Sequence, residues 1–420
     1  MTEERRCSDK YKKYSPLYML SYGKIDIWEL FCPDWRYFDQ VQMTFRDFVK
    51  SMHVRRKNVR KEGDGLFAFL YSRNKEYGWG KYHSQFFYQL CESCDNKSVI
   101  TLDEERHWSA YALLCLVLLP FWYQKCRRAG FDKSKSLALT LALYDVKNDV
   151  HEFLKVVGDN VVVTYCDVFA SDHYLTKKLN KRNYVTVTVQ HGIYTNDDYD
   201  FVYSESKYFV ANCKLSKKYA MECGKKLVYS PGLIASISEM PRKAMIKNGQ
   251  FLVLVDGFDA NDQKTISTSK YILEMAERFA MEYGYKYVVR YHPMNAGAVL
   301  HDANSKNIVR ISESDECTMD VINEAEFIIM GRSTAWFQAI SLLCPTFRYM
   351  GFEDDYMSDI HYNGFMNYEE LKELYRKTST ETIDDLKLVK QEYLGAEDVL
   401  AAYQNVWNDI AQKEGKDVRR

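Results

Sequence analysis

Three short runs in this 420-residue chain hold residues able to move a proton or bind an anion. In the first, Val185-Thr-Val-Thr-Val leads into Gln190-His191-Gly192 and then Tyr194. A histidine takes up a proton near neutral pH, and a glycine beside it lets the backbone turn sharply and approach a ligand. In the second, Tyr287-Val-Val leads into Arg290-Tyr291-His292-Pro293. Arg290 and His292 fall at i and i+2, on one face of a strand, and offer an anion two cationic or hydrogen-bonding groups, while the proline keeps His292 extended. In the third, Phe327-Ile-Ile-Met runs through Gly331 and Arg332 to Ser333-Thr334 and an apolar segment containing Gln338. Ser333 or Thr334 can cap a helix whose first N–H groups favour a phosphate. Asp256, in Val255-Asp256-Gly257, is a fourth polar residue after an apolar run and a candidate carboxylate base or ribose contact. Each run alone also fits an ordinary loop histidine, turn or cap. Their shared position just past a strand sets them apart, because open α/β sheets bind ligands outside the carboxyl ends of their strands.

The elements that must position these residues are legible as short apolar runs between amphipathic stretches. Strands are expected at 160–166, 184–190, 208–212 and 227–230, and after a gap at 251–255, 286–291, 307–311, 327–330 and 346–349. Helical patterns at 174–179, 214–223, 270–283, 315–325 and 334–343 lie between them. Such alternation implies βαβ units and parallel sheets, and Val-rich strands without clean alternation imply sheets covered on both faces. The turn-rich, basic stretch 231–250 marks the break. The expected fold is α/β: two doubly wound Rossmann-like domains facing a cleft, with an irregular, helical N-terminal extension. An acceptor-side domain is expected over 1–235, irregular or helical to about 150, and a nucleotide-donor domain over 236–420. The helical segment 384–412 is expected to pack back across one of them.

Composition narrows the functions. With 46% hydrophobic and 27% charged residues the chain is globular, and 57 Lys and Arg against 58 Asp and Glu leave a net charge of −1, without the basic excess of a duplex-binding protein. Nucleic acid is therefore not an expected partner. The apolar run Ala112–Tyr123 is too short to span a bilayer, and no apolar run follows the basic N-terminus as in a signal peptide. The eleven cysteines, odd in number and scattered, read as reduced thiols of a cytoplasmic protein, and the lone Cys91-x-x-Cys94 lacks the second pair of a zinc site. Gly63-Asp-Gly65-Leu-Phe-Ala68 follows a charged run, RRKNVRKE, and is rejected as a dinucleotide turn. Asp198-Tyr-Asp200 fits a metal-binding DxD pattern but reads first as a solvated loop. The basic run Lys50–Lys61 reads as a solvated surface, or as a contact with anionic headgroups at the inner face of a membrane. The aromatic content, with 22 Phe, 7 Trp and 33 Tyr, is weighted to tyrosine; Tyr194, Tyr199 and Tyr203 form a candidate platform for an acceptor sugar.

Taken in order, Gln190-His191-Gly192, His292-Pro293 and Ser333-Thr334-Ala335 with Pro345 beyond them resemble GT-B glycosyltransferases that build bacterial capsule and other surface polysaccharides. The pattern is also similar to CDP-glycerol glycerophosphotransferases and, more distantly, to bacterial sialyltransferases with an HP motif. The resemblance covers roughly Val161–Met350. It implies that His292, Ser333 and Thr334, with Arg290, Gly331 and Gln338 around them, hold the donor's phosphate and nucleotide. It also implies that His191 is the base for an acceptor hydroxyl. By their positions at and past strand ends, Asp256 is a second catalytic candidate, and Gln190, Gly192 and Tyr194 are candidates for the acceptor side. Relatives often carry a glutamate where Gln338 stands, and the CDP-glycerol enzymes a Pro-Thr-x-Arg where this chain has Val255-Asp-Gly-Phe258; the second departure favours a sugar donor.

The expected activity is a metal-independent, His-assisted transfer of a sugar from a CMP-, CDP- or UDP-linked donor to a hydroxyl of a polysaccharide or lipid-linked acceptor, with no further cofactor. Polyol-phosphate transfer, nucleotide-sugar epimerisation and a non-catalytic role in polysaccharide assembly remain as alternatives.

Overall fold

Buried β-branched and aromatic runs alternate with amphipathic helices to build two sheets in the computed structural model. It describes residues 21–22, 25–26, 43–54, 58–71, 86–103, 110–128, 130–165, 170–190, 204–234, 237, 241–257, 262–292, 295, 298–313, 316–352, 355 and 357–416. A two-stranded antiparallel pair, β1 (Ser21–Tyr22) and β2 (Ile25–Asp26), stands apart from both sheets.

The first sheet contains β3 (Asn58–Glu62), β4 (Phe67–Tyr71), β5 (Lys97–Asp103), β6 (Val161–Tyr165), β7 (Thr186–Val189), β8 (Tyr208–Val210) and β9 (Val228–Tyr229). Its order is β3-β5-β4-β6-β7-β8-β9, parallel throughout except for β3 against β5. One face packs under α1 (Phe45–Val54), α2 (Ala110–Arg128), α3 (Lys133–Val156) and α4 (Ala170–Asn180). Pro120 lies inside α2 without ending it. No strand was expected before residue 160, yet β3, β4 and β5 precede it, and β4 lies in the interior of the sheet between β5 and β6, buried along its whole length. Residues 58–62 of the charged run that argued against a dinucleotide turn at Gly63 form the antiparallel strand β3, and the turn feeds strand β4 rather than a helix. The rejection stands on this different ground, because the phosphate-cradling geometry needs a strand, a turn and then a helix.

The second sheet contains β10 (Gln250–Val255), β11 (Lys286–Tyr291), β12 (Ile308–Ser312), β13 (Ile328–Met330), β14 (Thr346–Tyr349) and β15 (Gly364–Phe365). All are parallel, in the order β12-β11-β10-β13-β14-β15. With α5 (Lys214–Glu222) in the first half, the remaining helices are α6 (Gln263–Tyr283), α7 (Thr318–Glu324), α8 (Ala335–Ser341), α9 (Tyr368–Thr378), α10 (Ile383–Tyr393) and α11 (Val399–Lys413). α6 begins where the Asp262 carboxylate accepts the Thr265 N–H at 3.0 Å and ends at Gly284 with φ 74°, a left-handed stop that glycine adopts without a Cβ penalty. Chain order across each parallel array reverses once, between β4 and β6 in the first sheet and between β10 and β13 in the second. These are the doubly wound α/β topologies expected from the alternating pattern.

The chain does not end on the second sheet. α11 returns to the first and enters its core beside Phe67, Phe69, Val163 and Tyr208. Trp407 is buried, its ring centroid 5.5 Å from that of Phe67 and 5.3 Å from that of Phe69, while its indole N–H donates to Ser93 Oγ at 2.9 Å. The Tyr403 hydroxyl donates to the Gly232 carbonyl at 3.3 Å. Trp407→Ala is expected to cost about 3–5 kcal/mol, the range for emptying a large aromatic site, and Trp407→Phe only about 1–2 kcal/mol for the lost hydrogen bond and smaller ring. Urea unfolding followed by far-UV circular dichroism measures both.

Candidate active site

The register of β10 between its two neighbours assembles the most polar cluster at the strand ends. Val255 pairs with Tyr291 and Leu254 with Met330, so Asp256 emerges next to His292 on one side and the Gly331-Arg332 turn on the other. The Arg332 N–H donates to Asp256 Oδ2 at 3.1 Å, and the His292 N–H donates to the Val255 carbonyl at 3.2 Å. Two glycines make room for these groups. A Cβ on Gly331 would overlap Asp256 Oδ2 and come within 2.7 Å of the Phe352 ring, and one on Gly257 would lie 3.0 Å from His292 Cγ. The cluster lies where β10 and β13 part, the topological switch point at which open α/β sheets take ligands.

The Arg332 guanidinium is held in place. Its Nη2 donates to Thr265 Oγ1 at 2.7 Å, and its Cζ lies 4.8 Å from the centroid of the Phe352 ring. Thr265 in turn donates its hydroxyl to Asp262 Oδ2 at 2.6 Å, so the first turn of α6 fixes where the arginine can point. Phe352 is carried by the loop after β14, which is tied down by Arg348. That side chain is fully buried, pairs with Asp355 Oδ2 at 2.7 Å and donates to the Ile360 carbonyl at 2.8 Å.

Both titratable groups of the cluster are shifted by burial. Desolvation raises the Asp256 carboxyl to about 6, opposed by the Arg332 N–H and charge and reinforced by Asp355. Asp256 is 4% exposed, and its Oδ1 has no hydrogen-bond partner among the described residues. Desolvation, with the Arg290 charge adding to it, lowers the His292 imidazole below its ordinary value, which favours the neutral ring near pH 7.

Among the other candidates, Gly331, His292, Asp256 and the Ser333-Thr334 step come together at the ends of β10, β11 and β13. Ser333 Oγ accepts the Ala335 N–H at 3.3 Å, while Thr334 holds the N-cap position of α8 with no side-chain cap bond and an exposed side chain. Gln338 is buried on α8.

Arg290 departs from its expected role. Its in-register neighbour is Ser312, and its guanidinium donates to Ser312 Oγ at 2.6 Å and to the Glu313 and Glu316 carbonyls at 2.9 and 2.7 Å. It holds the loop after β12 instead of facing an anion beside His292. Gln190 departs likewise: it is fully buried, its Nε2 donating to Ser216 Oγ at 3.0 Å and its Oε1 accepting the Asn212 N–H at 2.9 Å. It fastens the end of β7 to the segment after β8 and does not reach an acceptor. His191, Gly192 and Tyr194, with Tyr199 and Tyr203, lie outside the described residues.

Three contributors were not singled out from the sequence: Arg332, Thr265 and Phe352. Arg332 was within a quoted run, and the signal for Phe352 was its place just past β14, the next strand end in the sheet. Cys91 and Cys94 are buried, and burial pushes the Cys94 thiol up to about 12, consistent with inert thiols. Among the described residues, no group of three or more His, Cys, Asp or Glu is placed to hold a metal ion, and no helix is long and apolar enough to cross a membrane.

Two doubly wound parallel-sheet domains in one chain, with a C-terminal helix returning to the first, constitute the GT-B fold. Solved structures bear this out. A putative UDP-N-acetylglucosamine 2-epimerase from Listeria monocytogenes aligns with a TM-score of 0.52 at 10% identity over 85% of this chain and 99% of its own. The S. aureus MnaA–UDP co-structure aligns at 0.50 with 11% identity over 85% and 99%, and UDP-GlcNAc 2-epimerase from Methanocaldococcus jannaschii at 0.50 with 14% identity over 82% and 99%. At these identities the likeness establishes the fold. No protein-family model matches the chain, and no curated protein matches it by sequence.

Two outcomes follow for the cluster. Gly331→Ala is expected to lower stability by about 1–3 kcal/mol, because the methyl must displace the carboxylate or the Phe352 ring. Asp256 is bound as the acid more tightly in the folded than in the unfolded chain, so its contribution is fully present below its unfolded pKa and is lost as pH rises through about 6. Asp256→Asn is therefore expected to gain on the wild type as pH rises through this window, to a limit of roughly 3 kcal/mol. Urea midpoints measured across the window check both variants.

Proposed function

We propose that this chain is an enzyme acting on a nucleotide-activated sugar, transferring the sugar to a hydroxyl of a growing surface polysaccharide. The observation that carries the reading is the β10–β11–β13 cluster: a half-buried imidazole, a pinned arginine and the Ser333-Thr334 step stand at the strand ends where a doubly wound sheet receives a nucleotide. The order of the His-Gly, His-Pro and Ser-Thr motifs, shared with the surface-polysaccharide transferases, supports the choice of acceptor.

In this reading the acceptor oxygen attacks the anomeric carbon and His191 takes its proton. The bond from that carbon to the nucleotide's terminal phosphate oxygen breaks, and the electron pair leaves with the nucleotide. His292, Ser333 and Thr334 stabilise the charge that develops on the phosphate. A neutral His292 donates one hydrogen bond and takes up a proton when the phosphate's charge arrives beside it. Asp256 and Arg290 are positioning residues: the first holds the Arg332 turn, and the second holds the loop after β12. Gln190 positions the segment that carries His191. UDP is the first donor nucleotide to test, because solved structures of this fold include one with UDP bound.

A second reading, epimerisation of the nucleotide sugar, is favoured by the names of the structural neighbours, which are UDP-GlcNAc 2-epimerases. The two differ in one observable. Transfer releases free nucleotide only when an acceptor is present, whereas epimerisation interconverts the sugar with no acceptor.

A thermal-shift panel of CMP, CDP, UDP, GDP and dTDP is expected to single out one base, since a ligand that binds only the folded chain raises its midpoint. His292→Ala is expected to weaken that nucleotide about tenfold or more, and the wild-type affinity to fall as pH rises above the lowered pKa of the free imidazole, a dependence that His292→Gln flattens. His191→Ala is expected to abolish turnover while leaving nucleotide affinity nearly unchanged. Wild-type turnover in both alanine variants would overturn the site.

A further inference from the structure

A cavity of about 410 Å³ lies away from the strand-end cluster, between residues 241–243, the end of α8, the helix α10 and the loop that follows it. Its lining is strongly basic for a chain of net charge −1: Arg242, Lys243, Lys387 and Lys390 against the single carboxylate of Glu397. Two of these cations are set into the cavity wall. Lys390 is 7% exposed, its stem buried, while its ammonium is not among the fully enclosed polar atoms and opens on the cavity. Arg242 donates through Nη2 to the Ile322 carbonyl, but its Nε and Nη1 are buried with no hydrogen-bond partner. The Cys344 thiol, pushed up to about 11 by burial, is the polar group it approaches, and a neutral thiol is a weak acceptor.

Leaving buried guanidinium N–H groups unpaired is costly. At Lys390 desolvation lowers the pKa, which Glu397 opposes. Lys387 is already tied to Asp384 at 2.8 Å, and its exposed head adds field more than contact. The arrangement lacks one component: a compact, multiply charged oxyanion able to accept from a guanidinium edge and an ammonium together. The cavity exceeds the size of a single phosphate and falls in the range of small-molecule sites.

We propose that this cavity is a binding site for a phosphorylated small molecule, its phosphate or diphosphate held by Arg242 and Lys390 with Lys243 at the mouth. The site is separate from the nucleotide site of the strand ends. It touches both stretches of chain that pass between the two sheets. Residues 241–243 lie between β9 and β10, and the cavity's far wall leads from α10, packed on the second sheet, to α11, packed on the first. An anion bound there would bridge the two connections between the sheets.

The test is calorimetric titration of the full chain with inorganic diphosphate, with sulfate at matched ionic strength as the control. Saturable diphosphate binding is expected, weakened about tenfold or more in Lys390→Met and less in Lys243→Ser, and unchanged in His292→Ala. Lys390→Met removes the charge from a largely buried side chain while keeping an unbranched stem, so its melting temperature without ligand is expected to equal or exceed that of the wild type. Lys243→Ser changes an exposed residue and guards against loss of folding in the first variant. The proposal is overturned by an absence of saturable binding, by equal heats from sulfate, or by binding that His292→Ala removes and Lys390→Met does not. The last result places the diphosphate at the strand ends and leaves the proposed donor site standing.

Discussion

The hydrogen bond from the Arg332 N–H to the Asp256 carboxylate is the constraint on which the candidate site depends. It ties the end of β10 to the turn after β13, at the place where chain order reverses. It requires a glycine at 331, because a side chain there would occupy the carboxylate's space. It also commits Asp256 to the interior, which raises its pKa and leaves one oxygen unpaired. A parallel sheet supplies the backbone register at no extra cost, and the side chains need only read out the ends of three adjacent strands. The site residues are therefore scattered over nearly a hundred positions of sequence, from Asp256 to Phe352, yet meet at one edge of the sheet.

How much of this was legible in the sequence divides along physical lines. Five strands of the second sheet were clear because they are short, apolar and bounded by turns; β11 and β14 have the expected boundaries, β10, β12 and β13 differ by one residue, and the two-residue β15 was not expected. The strand-end residues followed from those boundaries. β3, β4 and β5 were missed for different reasons. β3, Asn-Val-Arg-Lys-Glu, is an antiparallel edge strand with solvated side chains and carries no apolar signal. β5 mixes polar with apolar positions, and the apolar run of β4 sits in a charged, glycine-containing context. The i, i+2 argument placed Arg290 and His292 on one face correctly as backbone geometry. It could not see that Ser312, two strands from β10, would draw the guanidinium sideways. Gln190 shows the same gap between a residue's type and its partner: an amide beside a histidine reads as a ligand contact, but here it is fully buried between two strand ends.

The tyrosine-weighted composition has a concrete use. Tyr285 donates to Glu326 at 2.7 Å, Tyr287 to Glu277, Tyr362 to Glu381 and Tyr368 to Glu282, each at 2.8 Å. Tyr219 and Tyr229 reach Asp359 and Asp409 in the same way. The rings pack in or beside the cores, and the hydroxyls engage carboxylates from other parts of the chain, so one side chain supplies apolar area and a directional tie together. This arrangement accounts for many tyrosines without assigning them to a ligand.

The return of α11 to the first sheet has a consequence for synthesis. The face of that sheet carrying Phe67, Phe69 and Tyr208 is closed by residues that leave the ribosome only after the whole second domain has been made. For that interval the nascent first domain presents an open aromatic surface, while the second can already fold around its own sheet. The order of maturation thus runs against the order of translation, and the first domain closes only when Trp407 reaches it.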